Sequence, residues 1–251
     1  MDPMDETMGF DQGMISPEAL RFMHDAWRRN GRAGDADRML TELGLFRDGR
    51  YTRAGVLLLS RRPELINDGA YVKIGVFDSD GLLTAQDVVS APLVMLPTRA
   101  VKKLYEKHMD GHFVYGDGFM GTKYDFPQEI ISEALFNAIV HRDYDSVYPV
   151  EVRISPGKVV ILNDGSLPDG WDTGSLMDPE HRSKSPNIRL MEAYKAIGHA
   201  EGWGHGINFM IDRCVDSGIL GPFFRVADGV SVEFRLPVKV YESEYGDDFE
   251  Q

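Results

Sequence analysis

The stretch EALFNAIVHRDYD, residues 133–145, sets Glu133, Asn137 and His141 at every fourth position, the spacing that stacks side chains along one face of an α-helix. Around them Ile130, Ile131, Leu135, Phe136, Ile139 and Val140 supply apolar groups in nearly every other direction. A carboxylate in such a stripe can position and deprotonate a water, and a side-chain amide oxygen is a hard ligand suited to Mg²⁺. Magnesium keeps several waters and is usually completed by substrate phosphates, so a single Asn makes sense as its ligand only beside a nucleotide. The plainer reading of the same stripe is a hydrogen-bonded network inside a core.

Two further segments carry chemistry. GWGHG, residues 202–206, leads directly into a helical pattern; glycines permit close backbone approach, and a helix N-terminus offers free N–H groups and a positive dipole to an anion. ILNDGSLP, residues 161–168, sets a polar pair and a glycine where an apolar strand runs out. That pattern is a common turn. It also suits reading the edge of a purine, with Asn163 supplying an amide and Gly165 room for a ring.

The elements that position these residues are legible in outline. Helices are predicted over 17–29, 33–43 and 94–109, and a strand over 71–78. Asp48-Gly49 makes a turn before the apolar run Val56–Leu59, which suits a helix or a buried strand. Pro127 opens the helix bearing the stripe, VEVRI and KVVILN form a hairpin about Pro156-Gly157, and a polar loop follows from Asp164 to about Ser185. Helices after Ser185-Pro186 and after Gly206 stop at Gly198 and Gly218, and a strand at 230–238 closes the chain. The order predicts an α/β fold: a two-layer α/β sandwich, helices on one face of a sheet, preceded by a smaller α+β region. Its divisions are an acidic disordered tail (1–13), an N-terminal α+β region (14–120), the site-bearing domain (121–240) and a second acidic tail (241–251), with Gly116–Gly121 as the seam.

Bulk properties set limits. The 251 residues are 43% hydrophobic and 27% charged, as in an ordinary globular protein. The net charge of −13 is concentrated at the ends: nine of the 40 acids lie in residues 1–13 and 242–251, leaving 31 against 27 Lys and Arg in the body. The body's charge therefore neither supports nor forbids a DNA contact. Cys214 is the sole cysteine, which rules out an internal disulfide and a zinc site of paired cysteines and fits the cytoplasm. No apolar run approaches the ~20 residues of a membrane span, and the acidic first residues are no signal peptide.

Taken in order, these blocks resemble the ATPase domain shared by gyrase-type topoisomerases, heat-shock chaperones, MutL and histidine kinases (the Bergerat or GHKL fold). Within it they are most similar to the C-terminal half of bacterial RecG-like and transcriptional-regulator proteins. The match lies in Glu133–Tyr144, Asn163–Leu167, Arg182–Asn187 and Glu201–Ile207, with a weaker extension at Thr52–Leu59. The resemblance implies ATP and Mg²⁺ as ligands, Glu133 as general base and Asn137 as magnesium ligand. It further implies Asn163 and Gly165 at the adenine, Gly204 and Gly206 at the phosphates, a lid over 169–185, and Arg142, Arg182 and Lys184 as charges able to neutralise phosphate. His141 and Asp143 are expected to pin the helix end to the following turn, and Trp203 to pack.

Two departures shape the expectation. Asn163 stands where the superfamily usually has Asp, and accepts the same hydrogen bond without charge assistance. Leu167 replaces a glycine. Two readings follow: an ATP-binding, slowly hydrolysing module of a regulator, or a non-catalytic scaffold with a degenerate pocket, serving as dimerisation or effector half. A helicase motor is excluded, since no G-x-x-x-x-G-K-[ST] is present. DNA contact is expected only through the helix–helix–hairpin order of residues 17–51, as a winged-helix remnant, or through a domain preceding this segment. Packing against the ATPase-like half is the favoured role of the N-terminal region.

Overall fold

The computed structural model describes residues 3–9, 12–116, 119–178, 184–199 and 205–237. Helix starts follow their capping residues. Ser16, Asp35 and Thr52 each accept a backbone N–H of the first turn and open α1 (Pro17–Arg29), α2 (Ala36–Glu42) and α3 (Arg53–Leu59). Between α2 and α3 lies the two-residue-per-strand hairpin of β1 (Phe46–Arg47) and β2 (Arg50–Tyr51). Its turn needs two left-handed residues, supplied by Asp48 (φ 52°) and Gly49 (φ 75°). The run Val56–Leu59 belongs to helix α3 and is fully buried.

Then come β3 (Val72–Phe77), β4 (Leu83–Val89), α4 (Leu96–Lys107), and the hairpin β5 (Gly111–Gly116) with β6 (Phe119–Tyr124). After these follow α5 (Gln128–His141), β7 (Val150–Ser155), β8 (Lys158–Asn163), α6 (Thr173–Met177) and α7 (Ile188–Ala196). The described chain ends with α8 (Gly206–Ser217), β9 (Leu220–Ala227) and β10 (Gly229–Arg235).

Six strands form one sheet in the order β4-β3-β7-β8-β10-β9, antiparallel except for β3 beside β7. Its two faces separate cleanly. The rung Ile74, Val152, Ile161 and Val232 is buried beneath the helices. The adjacent rung Gly75, Arg153, Val160, Glu233 and Phe223 turns outward, where Arg153 pairs with Glu151. Helices α4, α5 and α8 cover the inner face, giving the expected two-layer α/β sandwich. Helix α5 lies at the centre and buries Ile130, Ile131, Leu135, Phe136, Ile139 and Val140 together. At about 1.5–3 kcal/mol for each such side chain, this helix is fixed far more firmly than its polar stripe would require.

Three features differ from the sequence reading. The expected disordered tail is partly folded: Met4 is buried, Asp5 bonds Arg189 of α7 at 2.6 Å, and Thr7 bridges to Thr52. An apolar side chain and a salt bridge hold this acidic strap down despite its composition. The boundary at 120/121 falls inside the β5–β6 hairpin, while β3 from before it joins β7 from beyond it in one sheet over one core. Local glycine content marked the hairpin, and parallel pairing over long separation leaves no local signal. The polar loop 164–185 contains the short helix α6, opened by a capping box in which Asp172 and Ser175 bond reciprocally. The tail 241–251 lies outside the described residues.

Candidate functional site

The stripe on α5 faces a cavity of about 840 Å³ at the open end of the sheet, with Glu133, Asn137 and His141 on its wall. Asn137 Nδ2 donates to Glu133 Oε1 at 3.0 Å. That bond fixes both side chains and commits the amide nitrogen, so the harder atom, Asn137 Oδ1, is the one available to a cation. Opposite stands the start of α8. A Cβ on Gly206 would lie 1.9 Å from Glu133 Oε1, so only a glycine lets this helix end approach the carboxylate. His205 supplies no side-chain cap, and the first N–H groups of a helix have no partner within it. The α8 N-terminus therefore presents donors and a positive dipole end to the cavity.

The end of β8 forms a third wall. Asn163 is 8% exposed and lines the cavity, and among the described residues its amide makes no hydrogen bond. Gly165 permits a tight crossing: a Cβ there would stand 2.6 Å from the His141 carbonyl oxygen and 2.8 Å from Asn163 Nδ2. Asp143 N–H donates to the Asp164 carbonyl at 2.7 Å, and Ser146 Oγ donates to the Asp164 carboxylate. Asp143 also accepts from Asp145 N–H at 2.8 Å. These bonds join the end of α5 to the end of β8. Apolar walls come from Phe136, Ile161, Met210, Phe224 and Val232.

Lys184 lies on the cavity rim with its Nζ 5.4 Å from the centre of the Trp171 ring, a cation–π distance. Burial pushes the His141 imidazole down to about 4, so it is neutral at pH 7 and adds no positive charge for phosphate. Arg142 does not fulfil its expected role as a phosphate-neutralising charge. It is 1% exposed and spends its fork on Tyr148 O (Nε, 2.8 Å), Asn67 Oδ1 (Nη1, 2.9 Å) and Ser146 O (Nη2, 2.6 Å). It is an internal strut holding the turn after α5 to the N-terminal region.

Of the residues singled out from the sequence, Glu133, Asn137, Asn163, Lys184 and Gly206 line this cavity and Gly165 stands against it. Arg182, Trp203 and Gly204 fall outside the described residues. The sequence reading missed Asn187, whose Nδ2 donates to the carbonyls of Val140 (2.9 Å) and Arg142 (2.7 Å) and so caps the C-terminus of α5. Its position just after Ser185-Pro186 suits a helix start, and nothing local in the sequence signals the distant carbonyls. Among the described residues no cluster of three or more His, Cys, Asp or Glu side chains could hold a metal by itself.

Comparison with known proteins agrees with this architecture. Residues 148–236 match the ATPase-like family model described as "Putative ATP-dependent DNA helicase recG C-terminal", and over that segment the family resemblance seen in the sequence holds. The crystal structure of the DIP2311 protein from Corynebacterium diphtheriae superposes with a TM-score of 0.74 at 20% identity. That match covers 97% of this chain and 49% of the other, so this chain spans about half the length of that protein. At such identity the likeness is one of fold. The histidine kinase domain of a blue-light activated histidine kinase from Erythrobacter litoralis aligns over 92% of this chain and 97% of its own at 14% identity, with a TM-score of 0.25, too low to compare the folds. No curated protein matches the chain. No described helix is long and apolar enough to cross a membrane.

Proposed function

We propose that the cavity between α5, the end of β8 and the start of α8 binds ATP with magnesium, and that the chain is a nucleotide-dependent module of a bacterial regulator-like protein. The observation that supports this best is convergence. An acid, two amides and a helix N-terminus, separated by up to 73 positions between Glu133 and Gly206, surround one cavity.

The roles we assign combine the family resemblance with the positions of these residues around the cavity. The start of α8, with Gly206 as its closest-approaching residue, holds the phosphates through backbone N–H groups, and Lys184 adds a cation at the rim. Arg182 and Gly204 are assigned to the same phosphates on the sequence resemblance alone. Asn137 Oδ1 would hold magnesium, which when bound draws charge from the phosphate oxygens. Glu133 receives the proton of the attacking water, held in orientation by the amide of Asn137. Asn163, beside Gly165, meets the edge of the base. Phe136, Ile161 and Val232 exclude water around the ring.

Calorimetric titration with a non-hydrolysable ATP analogue, with and without Mg²⁺, tests the reading. Saturable binding that weakens when either magnesium or the Asn137 side chain is removed (Asn137→Ala) supports it. No heat at millimolar nucleotide sinks it and leaves the second reading, a scaffold with a degenerate pocket. That alternative draws on Leu167, which lines the cavity where the resemblance calls for a glycine.

A further inference from the structure

We propose that β4 is a self-association edge: two copies of this chain join by antiparallel pairing of their β4 strands about a two-fold axis at Gln86, fusing two six-stranded sheets into one. The two edges of the sheet differ. β9 carries Pro222, which has no N–H to offer a ladder, the exposed Arg225, and a register shift where it pairs with β10. Proline, exposed charge and bulges are the usual guards against edge-to-edge pairing. The β4 sequence LTAQDVV contains no proline, lysine or arginine. Among the described residues β3 is its sole neighbour in the sheet, so the backbone groups of its other side form an open edge. Along that edge and just before it, Leu82, Leu83 and Val88 are 64%, 51% and 59% exposed.

The one charge of β4 is neutralised within its own chain. Asp87 Oδ2 lies 2.6 Å from Lys107 Nζ and 2.7 Å from His108 Nε2, and Oδ1 lies 3.8 Å from Lys103 Nζ. An unpaired inward charge would guard an edge, because pairing buries it; this carboxylate is already tied to α4. The strand is also complementary to itself. Gln86 is its midpoint, so an axis there uses all of Leu83–Val89 in both copies. That register sets Leu83 opposite Val89, Thr84 opposite Val88, Ala85 opposite Asp87 and Gln86 opposite its own copy. Each Asp87 meets a small apolar side chain, whereas an axis one residue later would set the two carboxylates face to face, which disfavours pairing. The irregularity in the β3–β4 ladder falls at Thr84 and leaves Ala85–Val89 regular. A seam one strand wide is smaller than the about 800 Å² per partner of a standard interface, so the dimer is expected to form in the micromolar range.

The test is sedimentation velocity of the full chain, without nucleotide, from about 1 to about 200 µM. Wild type is expected to pass from monomer to dimer across this range. Gln86 is exposed, so charges are tolerated there by the monomer. Gln86→Lys and Gln86→Glu each set like charges against each other at the axis and should each weaken association roughly fivefold. An equimolar mixture of the two variants sets Lys against Glu and should associate at least as well as wild type. Wild type that stays monomeric at the highest concentration overturns the inference. So does a dimer that both variants leave unchanged, which would form through another face. A mixture no more associated than its components overturns it as well, because only a residue that meets its own copy gives this rescue. Melting of each variant reports on its fold, and with nucleotide absent none of these outcomes bears on the cavity.

Discussion

Replacing Arg142 should reveal a strut and not a surface charge. Its guanidinium makes three hydrogen bonds, at 2.6–2.9 Å, to two carbonyls and one amide oxygen, and stacks 4.9 Å from the centre of the Tyr144 ring. Two of the acceptors keep another donor when Arg142 is removed. Asn67 Oδ1 still accepts from Gly69 N–H and Ser146 O from Asn67 Nδ2, while Tyr148 is exposed enough for water to reach its carbonyl. The loss is therefore three net hydrogen bonds rather than three orphaned acceptors. At about 1 kcal/mol each, Arg142→Met should cost about 3 kcal/mol. For a chain of this size 1 kcal/mol moves Tm by roughly 2–4 °C, so a fall of about 10 °C is expected. Arg142→Lys should recover little, since an ammonium cannot span three divergent acceptors and stays desolvated. Thermal and urea denaturation followed by tryptophan fluorescence would measure both variants. A near-complete rescue by Lys, or a Met variant within about 1 °C of wild type, would refute the strut.

Other perturbations separate the parts of the site. In Gly206→Ala the new methyl meets Glu133 Oε1 at 1.9 Å, where ordinary contact begins at 3.4 Å. The flexible carboxylate should withdraw with little change in melting, while ATP turnover falls roughly a hundredfold, the usual consequence of misplacing a reacting group by about an ångström. Asn187→Asp removes two donors from the end of α5 and should destabilise the fold by about 2 kcal/mol. The loss should be larger at pH 8 than at pH 5, because only the protonated acid can donate, and urea denaturation at the two pH values checks this. His141 has a folded pKa of about 4 against an ordinary 6.5, so the unfolded chain binds the extra proton between those values. Its contribution is complete above pH 6.5 and lost as pH falls toward 4, up to about 3 kcal/mol. His141→Gln should flatten that part of the stability–pH curve.

Local chemistry was readable wherever one residue decides local structure. Helix α1 occupies the predicted span 17–29, Pro127 immediately precedes α5, and Gly198 and Gly218 take the left-handed φ values that end α7 and α8. The Glu133–Asn137 stripe was legible because its neighbours are apolar all round, which made the polar face an exception. The edge strands β4 and β9 were not legible. β4 is exposed on both faces along most of its length, so it lacks alternation, and β9 contains Gly221-Pro222. The burial of Arg142 and the distant cap from Asn187 depend on partners up to 75 positions away. No window of sequence displays those partners together.

The most direct measurement is a crystal structure of this chain grown with a non-hydrolysable ATP analogue and magnesium. The account predicts the phosphates against the first turn of α8, the metal at Asn137 Oδ1 and the base edge on the amide of Asn163. An analogue bound outside this cavity, or a cavity without density at millimolar analogue, would contradict it.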